Sequence, residues 1–297
     1  MGKTRLSIEW VHRAGNSGGE SYAAQAPYPD GRYFVDLAPI TSPEQVAPAV
    51  AEALSFPLRG ERRSPEKQLL DYLRDKKLLL LMDNFEHIPD AAGFVNDALQ
   101  SAPHVHILVT SRQRLNLSSE QVYALSGLSC PQLVEEQDLE SFGAVQLLLQ
   151  SAQRIRPGFK LLPENREHVI GICRHSAGMP LAIELAVSWL DVMSLGEIAE
   201  GIEKNLDLLE TELRDLPERH RSIRAAIDTS WNYLQAAERL MFARLTIFQG
   251  GFSWDAAQAV AGDGSSVPAF RRALSRLVNK SLVHYDALSE RFNIHEL

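Results

Sequence analysis

The sequence predicts an α/β domain built on a parallel sheet, then an all-helical unit and a winged-helix unit. Three observations carry this expectation. Strand-like apolar runs at Tyr33–Leu37, Leu78–Met82 and Val105–Thr110 alternate with helix-period segments, the pattern of successive strand–helix units. After Gly127 the strand runs stop and helical spacing continues. Near the end, helices give way to two short strand-like runs, Leu282–Tyr285 and Phe292–His295, around Asp286–Arg291. The expected domains are 1–127, 128–215 and 216–297.

In chain order, Leu6–Val11 reads as helix and is followed by a glycine- and proline-rich loop from Arg13 to Arg32. Pro43–Leu54 carries Val46, Val50 and Leu54 at steps of four, a helical period. Ser64-Pro65 opens another helix by cap and first-turn chemistry. The unbroken apolar run Leu78–Met82 suits a strand buried on both faces. Phe94, Val95, Ala98 and Leu99 mark the next helix, and Val122–Leu125 is expected as a short final strand. Helices then follow at Leu139–Arg154, Pro163–His175, Pro180–Val192, Ser222–Tyr233, Ala236–Leu245, Ser253–Val260 and Pro268–Asn279.

Composition narrows the function classes. A net charge of −8 and a pI near 5.6 argue against a chain that coats nucleic acid or an anionic membrane. Cys130 and Cys173 are the only cysteines, so no disulfide framework or cysteine zinc site is expected, and a reducing cytoplasm is the natural compartment. No apolar run approaches the roughly 18 residues of a membrane span. His104 and His106 have no clustered third ligand, and no serine sits in a Gly-x-Ser-x-Gly setting, which leaves zinc and triad chemistry without support.

Gly2-Lys3-Thr4 reads as the second half of a phosphate-binding loop. In such loops backbone N–H groups cradle phosphate, the lysine reaches the outer phosphates, and the hydroxyl ligates Mg²⁺. Asp83, closing the Leu78–Met82 run, is the candidate Mg²⁺-holding acid; its bland alternative is a helix cap. Arg112, after Val105–Thr110, is either a phosphate sensor or a solvated strand-end arginine. Pro180 is ordinary helix punctuation or packs on an adenine ring.

These residues come in a recognisable order: Gly-Lys-Thr-Arg-Leu, Tyr-Phe-Val-Asp-Leu-Ala-Pro, Leu-Leu-Leu-Met-Asp-Asn-Phe-Glu-His, Val-Thr-Ser-Arg, Gly-Met-Pro-Leu-Ala-Ile-Glu-Leu-Ala, Arg224–Trp231 and Lys280-Ser281-Leu282. The chain thereby resembles the STAND class of signal-transducing P-loop ATPases, and more narrowly the NB-ARC-like core of LuxR- and AfsR-type bacterial regulators. The resemblance implies a P-loop domain, a helical domain and a winged-helix domain that clamp ATP or ADP with Mg²⁺. It implies a switch locked by ADP at rest and opened by exchange for ATP.

On the resemblance, Gly2, Lys3, Thr4, Arg5, Pro180 and His295 contact nucleotide. Thr4 and Asp83 hold the metal, while Asp83, Glu86 and Arg112 serve catalysis. The resemblance also implies self-association on activation, with effector and helical-repeat sensor domains outside this chain. Direct DNA contact by this region is not expected, although Arg271, Arg272, Arg276 and Lys280 form a basic cluster on one predicted helix. Departures bear on activity. The front half of the loop and its strand are absent, so a fragment or a mis-assigned start is expected, with a gap in the sheet. Asn84 stands where many relatives have a second acid, so slow or absent hydrolysis is expected, and an inactive scaffold or a winged-helix DNA-binding regulator are the alternatives.

Overall fold

The computed structural model describes residues 2–13, 28–60, 63–132, 138–205, 208–211, 221–248, 251–262, 264 and 266–294. They fall into two compact units, 2–123 and 124–297. The first holds α1 (Lys3–Arg13), β1 (Arg32–Asp36), α2 (Val46–Ala53), α3 (Pro65–Leu73), β2 (Leu79–Asp83), α4 (Ala92–Ser101) and β3 (His106–Val109). The three strands form one parallel sheet in the order β1-β2-β3.

β2 is buried along its whole length, as a central strand with an unbroken apolar run must be. Side chains alternate between faces with period two. Leu80 and Met82 join Val46 and Val50 of α2, Leu69 and Leu73 of α3, and Phe94 and Val95 of α4 in one apolar core. Leu79, Leu81 and Asp83 therefore lie on the opposite face, the one that α1 approaches. Arg32 Nη1 donates to the Val11 carbonyl at 2.6 Å, tying β1 to that helix.

The expected final strand at Val122–Leu125 is a correction: the segment joins no ladder among the described residues. Val122 is 51% and Tyr123 84% exposed. Strand propensity needs a neighbouring backbone and a layer to cover the side chains, and this segment has neither. β3 itself pairs only with β2 among the described residues.

The second unit contains α5 (Gly143–Ile155), α6 (Arg166–His175), α7 (Pro180–Ser188), α8 (Leu195–Lys204), α9 (Ile223–Asn232), α10 (Ala236–Leu245), α11 (Trp254–Ala261), α12 (Val267–Asn279), β4 (Val283–Asp286) and β5 (Arg291–Ile294). One core joins α5 to α8 with Leu209 and Ile223, and another joins α10, α11 and α12 to the antiparallel β4–β5 hairpin. Phe252 bridges Phe292 through two 2.8 Å backbone hydrogen bonds and stacks on its ring, lengthening the hairpin into a third short row. The expected boundary near 216 lies outside the described residues. Gly178 is more than punctuation: its φ is +64°, and a Cβ there would meet the Leu128 carbonyl oxygen at 2.2 Å.

Candidate functional site

The carboxyl end of β2 meets the start of α1, at the end of a parallel sheet where open α/β folds bind ligands. Gly2, with φ +90°, takes a backbone conformation that favours glycine and starts the helix by accepting the Leu6 N–H at 2.9 Å. Thr4 Oγ1 donates to Asp83, 2.8 Å from Oδ1 and 3.0 Å from Oδ2. A hydroxyl near one chain end and an acid 79 residues later are thus brought together, as the sequence anticipates. Asp83 is buried, 3% exposed, and further donors hold its charge. Thr110 Oγ1 donates to Oδ1, and Asn84 Nδ2 donates to Oδ2 at 2.9 Å.

Asn84 sits in the left-handed region at φ +63°, which asparagine tolerates better than most side chains. Its N–H donates to Thr110 Oγ1 at 3.1 Å, and its amide reaches Asp36 Oδ1 at 3.5 Å. Asp36 and Thr110 are the residues that sequence reasoning left without a role. The available signal was positional: each closes or directly follows a strand of a parallel sheet.

Lys3 is half-buried, and its pKa is lowered. Burial is the main cause; Glu86 acts in the opposite direction and Arg112 adds to the lowering. Glu86, only 7% exposed, pairs with Arg112 Nε at 3.5 Å. Lys3, Thr4, Asp83, Glu86 and Arg112 therefore share one neighbourhood, while Arg5 is exposed on α1. Pro180 is the first residue of α7 in the other unit, and His295 lies outside the described residues.

The donor chemistry suits a hydrated Mg²⁺. Thr4 and Asp83 offer hydroxyl and carboxylate oxygens at one point, and Mg²⁺ commonly uses one or two protein carboxylates together with substrate phosphates and water. No group of three or more His, Cys, Asp or Glu side chains placed to hold a metal occurs among the described residues.

No protein-family model matches the chain. A Mycobacterium tuberculosis protein named as an HTH-type transcriptional regulator is 36% identical over 289 residues, 96% of this chain and 30% of its own length. An uncharacterized protein of Mycobacterium bovis is 29% identical over 286 residues, 95% of this chain and 67% of its own length. The chain thus spans about a third of the length of the regulators it matches. Among solved structures, the Aeropyrum pernix ORC2 protein in its ADPNP–ADP complexes is 13% identical with a TM-score of 0.46, covering 99% of this chain and 80% of that one. A STAND protein with a tetratricopeptide repeat sensor from Pyrococcus horikoshii is 14% identical with a TM-score of 0.29, covering 90% of this chain and 38% of its own. Both TM-scores lie below 0.5, and neither assigns this chain a function.

Proposed function

We propose that residues 2–123 hold the phosphates of ATP or ADP with Mg²⁺, and that the chain is the nucleotide-operated switch of a larger transcription regulator. The observation that carries this is the hydrogen bond from the Thr4 hydroxyl to Asp83, its single proton shared between the two carboxylate oxygens. It joins a Gly-Lys-Thr helix start to the acid of a central parallel strand, a P-loop arrangement. Lys3 and the first N–H groups of α1 would hold phosphate, Thr4 and Asp83 the Mg²⁺, and Arg112 an outer phosphate. When bound, the metal neutralises phosphate charge. Asp36, Thr110 and Asn84 orient Asp83 and keep its charge directed at one place. With Asn84 beside Asp83 in place of a second acid, hydrolysis is slow or absent.

In this reading residues 128–215 form a helical domain and residues 216–297 a winged-helix domain. The matching regulator's name supports a place in transcriptional control. The basic cluster proposed for DNA loses a member, because Lys280 Nζ is 2.6 Å from buried Glu238. No helix among the described residues is long and apolar enough to cross a membrane.

Calorimetric titration with MgADP and MgATP tests the reading. The chain is expected to bind both, Lys3→Ala to lose at least about tenfold in affinity, and binding to weaken at a lower pH than ordinary lysine deprotonation would cause. No binding to the intact chain leaves the scaffold reading.

A further inference from the structure

Glu86 is a carboxylate that phosphate binding does not call for. It stands in the single 3-10 turn Phe85–His87 that follows Asp83, and the carbonyl of Glu86 accepts from Gln113 Nε2 at 3.3 Å. Its side chain is 9% exposed and its Oε1 is 3.5 Å from Arg112 Nε. Glu86 and Arg112 are also the two charges that act on Lys3. One buried anion therefore serves two of the cations that would meet a polyphosphate. A carboxylate beside a guanidinium presents the charge and acceptor oxygens of a phosphate. The Oε1 oxygen is committed to Arg112.

We propose that Glu86 is an internal stand-in for a phosphate group, occupying Arg112 when no polyphosphate is present and opposing the third phosphate of a triphosphate for it. Glu86 thereby sets the choice between di- and triphosphate at the site. This rests on residues 2–123 binding nucleotide phosphates. A ligand arriving at Arg112 gains its charge–charge attraction but must first separate an existing pair, so the net gain is small in the native chain. Removing the carboxylate charge restores that gain chiefly for triphosphate, because the third phosphate is the one that reaches Arg112, while the weaker influence of Glu86 on Lys3 is common to both nucleotides.

The test titrates the full chain and its Glu86→Gln and Glu86→Asp variants with MgADP, MgATP and sodium tripolyphosphate, each variant checked by far-UV circular dichroism and melting. Glu86→Gln is expected to bind MgATP and tripolyphosphate about tenfold tighter, with MgADP changed less than about twofold. Glu86→Asp keeps the charge but withdraws it by one methylene, and is expected to shift triphosphate binding the same way by a smaller factor. If Glu86→Gln does not fold, Glu86→Asp decides the matter. Triphosphate binding that is unchanged or weaker in the folded variants, with Lys3→Ala still abolishing native binding, overturns the stand-in and leaves the nucleotide site intact. An equal gain for MgADP and MgATP overturns the selective role. No binding of any probe to native chain or variant removes both.

Discussion

Thr110 is the residue on which the candidate site turns, and a sequence reading gives it no role. Its hydroxyl donates to Asp83 and accepts from the Asn84 N–H, so one small side chain fixes both the acid and the turn after it. Thr110→Val keeps the shape but strands a backbone donor and takes a donor from a buried carboxylate, at a cost of about 1–3 kcal/mol. Urea unfolding should show a lower midpoint with an unchanged slope; an unmoved midpoint would contradict the hydrogen-bond assignment. Lys3, Thr4 and Asp83 were legible because the chemistry of each is tied to its spacing from glycine or to the end of an apolar run. Thr110 and Asp36 were not, because only pairing of the strands brings their ends together.

At the scale of elements, most helices and all three sheet strands were legible from period and caps. α8 was missed although its signals were present. Leu195, Ile198, Ala199 and Ile202 lie buried at helical spacing, and Ser194 with Glu197 forms a reciprocal cap. Gly201 allows the close approach of Leu208, whose Cδ2 would lie 2.7 Å from an added Cβ. The cap makes α8 acid-sensitive. Hydrogen bonds from the Ser194 N–H and then its hydroxyl hold the Glu197 carboxyl below its ordinary range, against a smaller effect of desolvation. The folded state therefore favours the ionised acid. That contribution is complete above the ordinary carboxylate pKa of about 4.3 and is lost as pH falls through the lower folded value. Ser194→Ala should cost about 1 kcal/mol near neutral pH and show a shallower loss of stability in acid; an identical acid limb would refute the cap.

A second element-scale contact joins α10 to the end of α12. Lys280 Nζ lies 2.6 Å from Glu238 Oε2 and 2.9 Å from the Tyr233 carbonyl. Glu238 is 2% exposed. Glu238→Gln leaves a half-buried ammonium without its counter-charge, expected to cost about 3 kcal/mol, whereas Glu238→Leu with Lys280→Met should regain much of it. Thermal melts of the single and double variants decide. A double variant no more stable than the single would show that the pair's packing, rather than its charge, matters.

At the scale of the whole molecule, the described residues form one core on the parallel sheet, one among helices and one of helices with the β4–β5 hairpin, in two compact units. Scanning calorimetry should give a total enthalpy larger than the van't Hoff value of its main transition, and equal values would indicate a single cooperative unit. The sequence suggested a change of character after Gly127. It misjudged Val122–Leu125 because a strand is a property of two backbones, not one. That same fact governs β3. Ile107, Leu108 and Val109 are half-buried, and one margin of the strand carries N–H and C=O groups that no described residue answers. Such a margin is a template for a strand from any other molecule. Association of the chain is therefore expected to rise with concentration and to ease when that margin is given a charge, which light scattering across a dilution series checks.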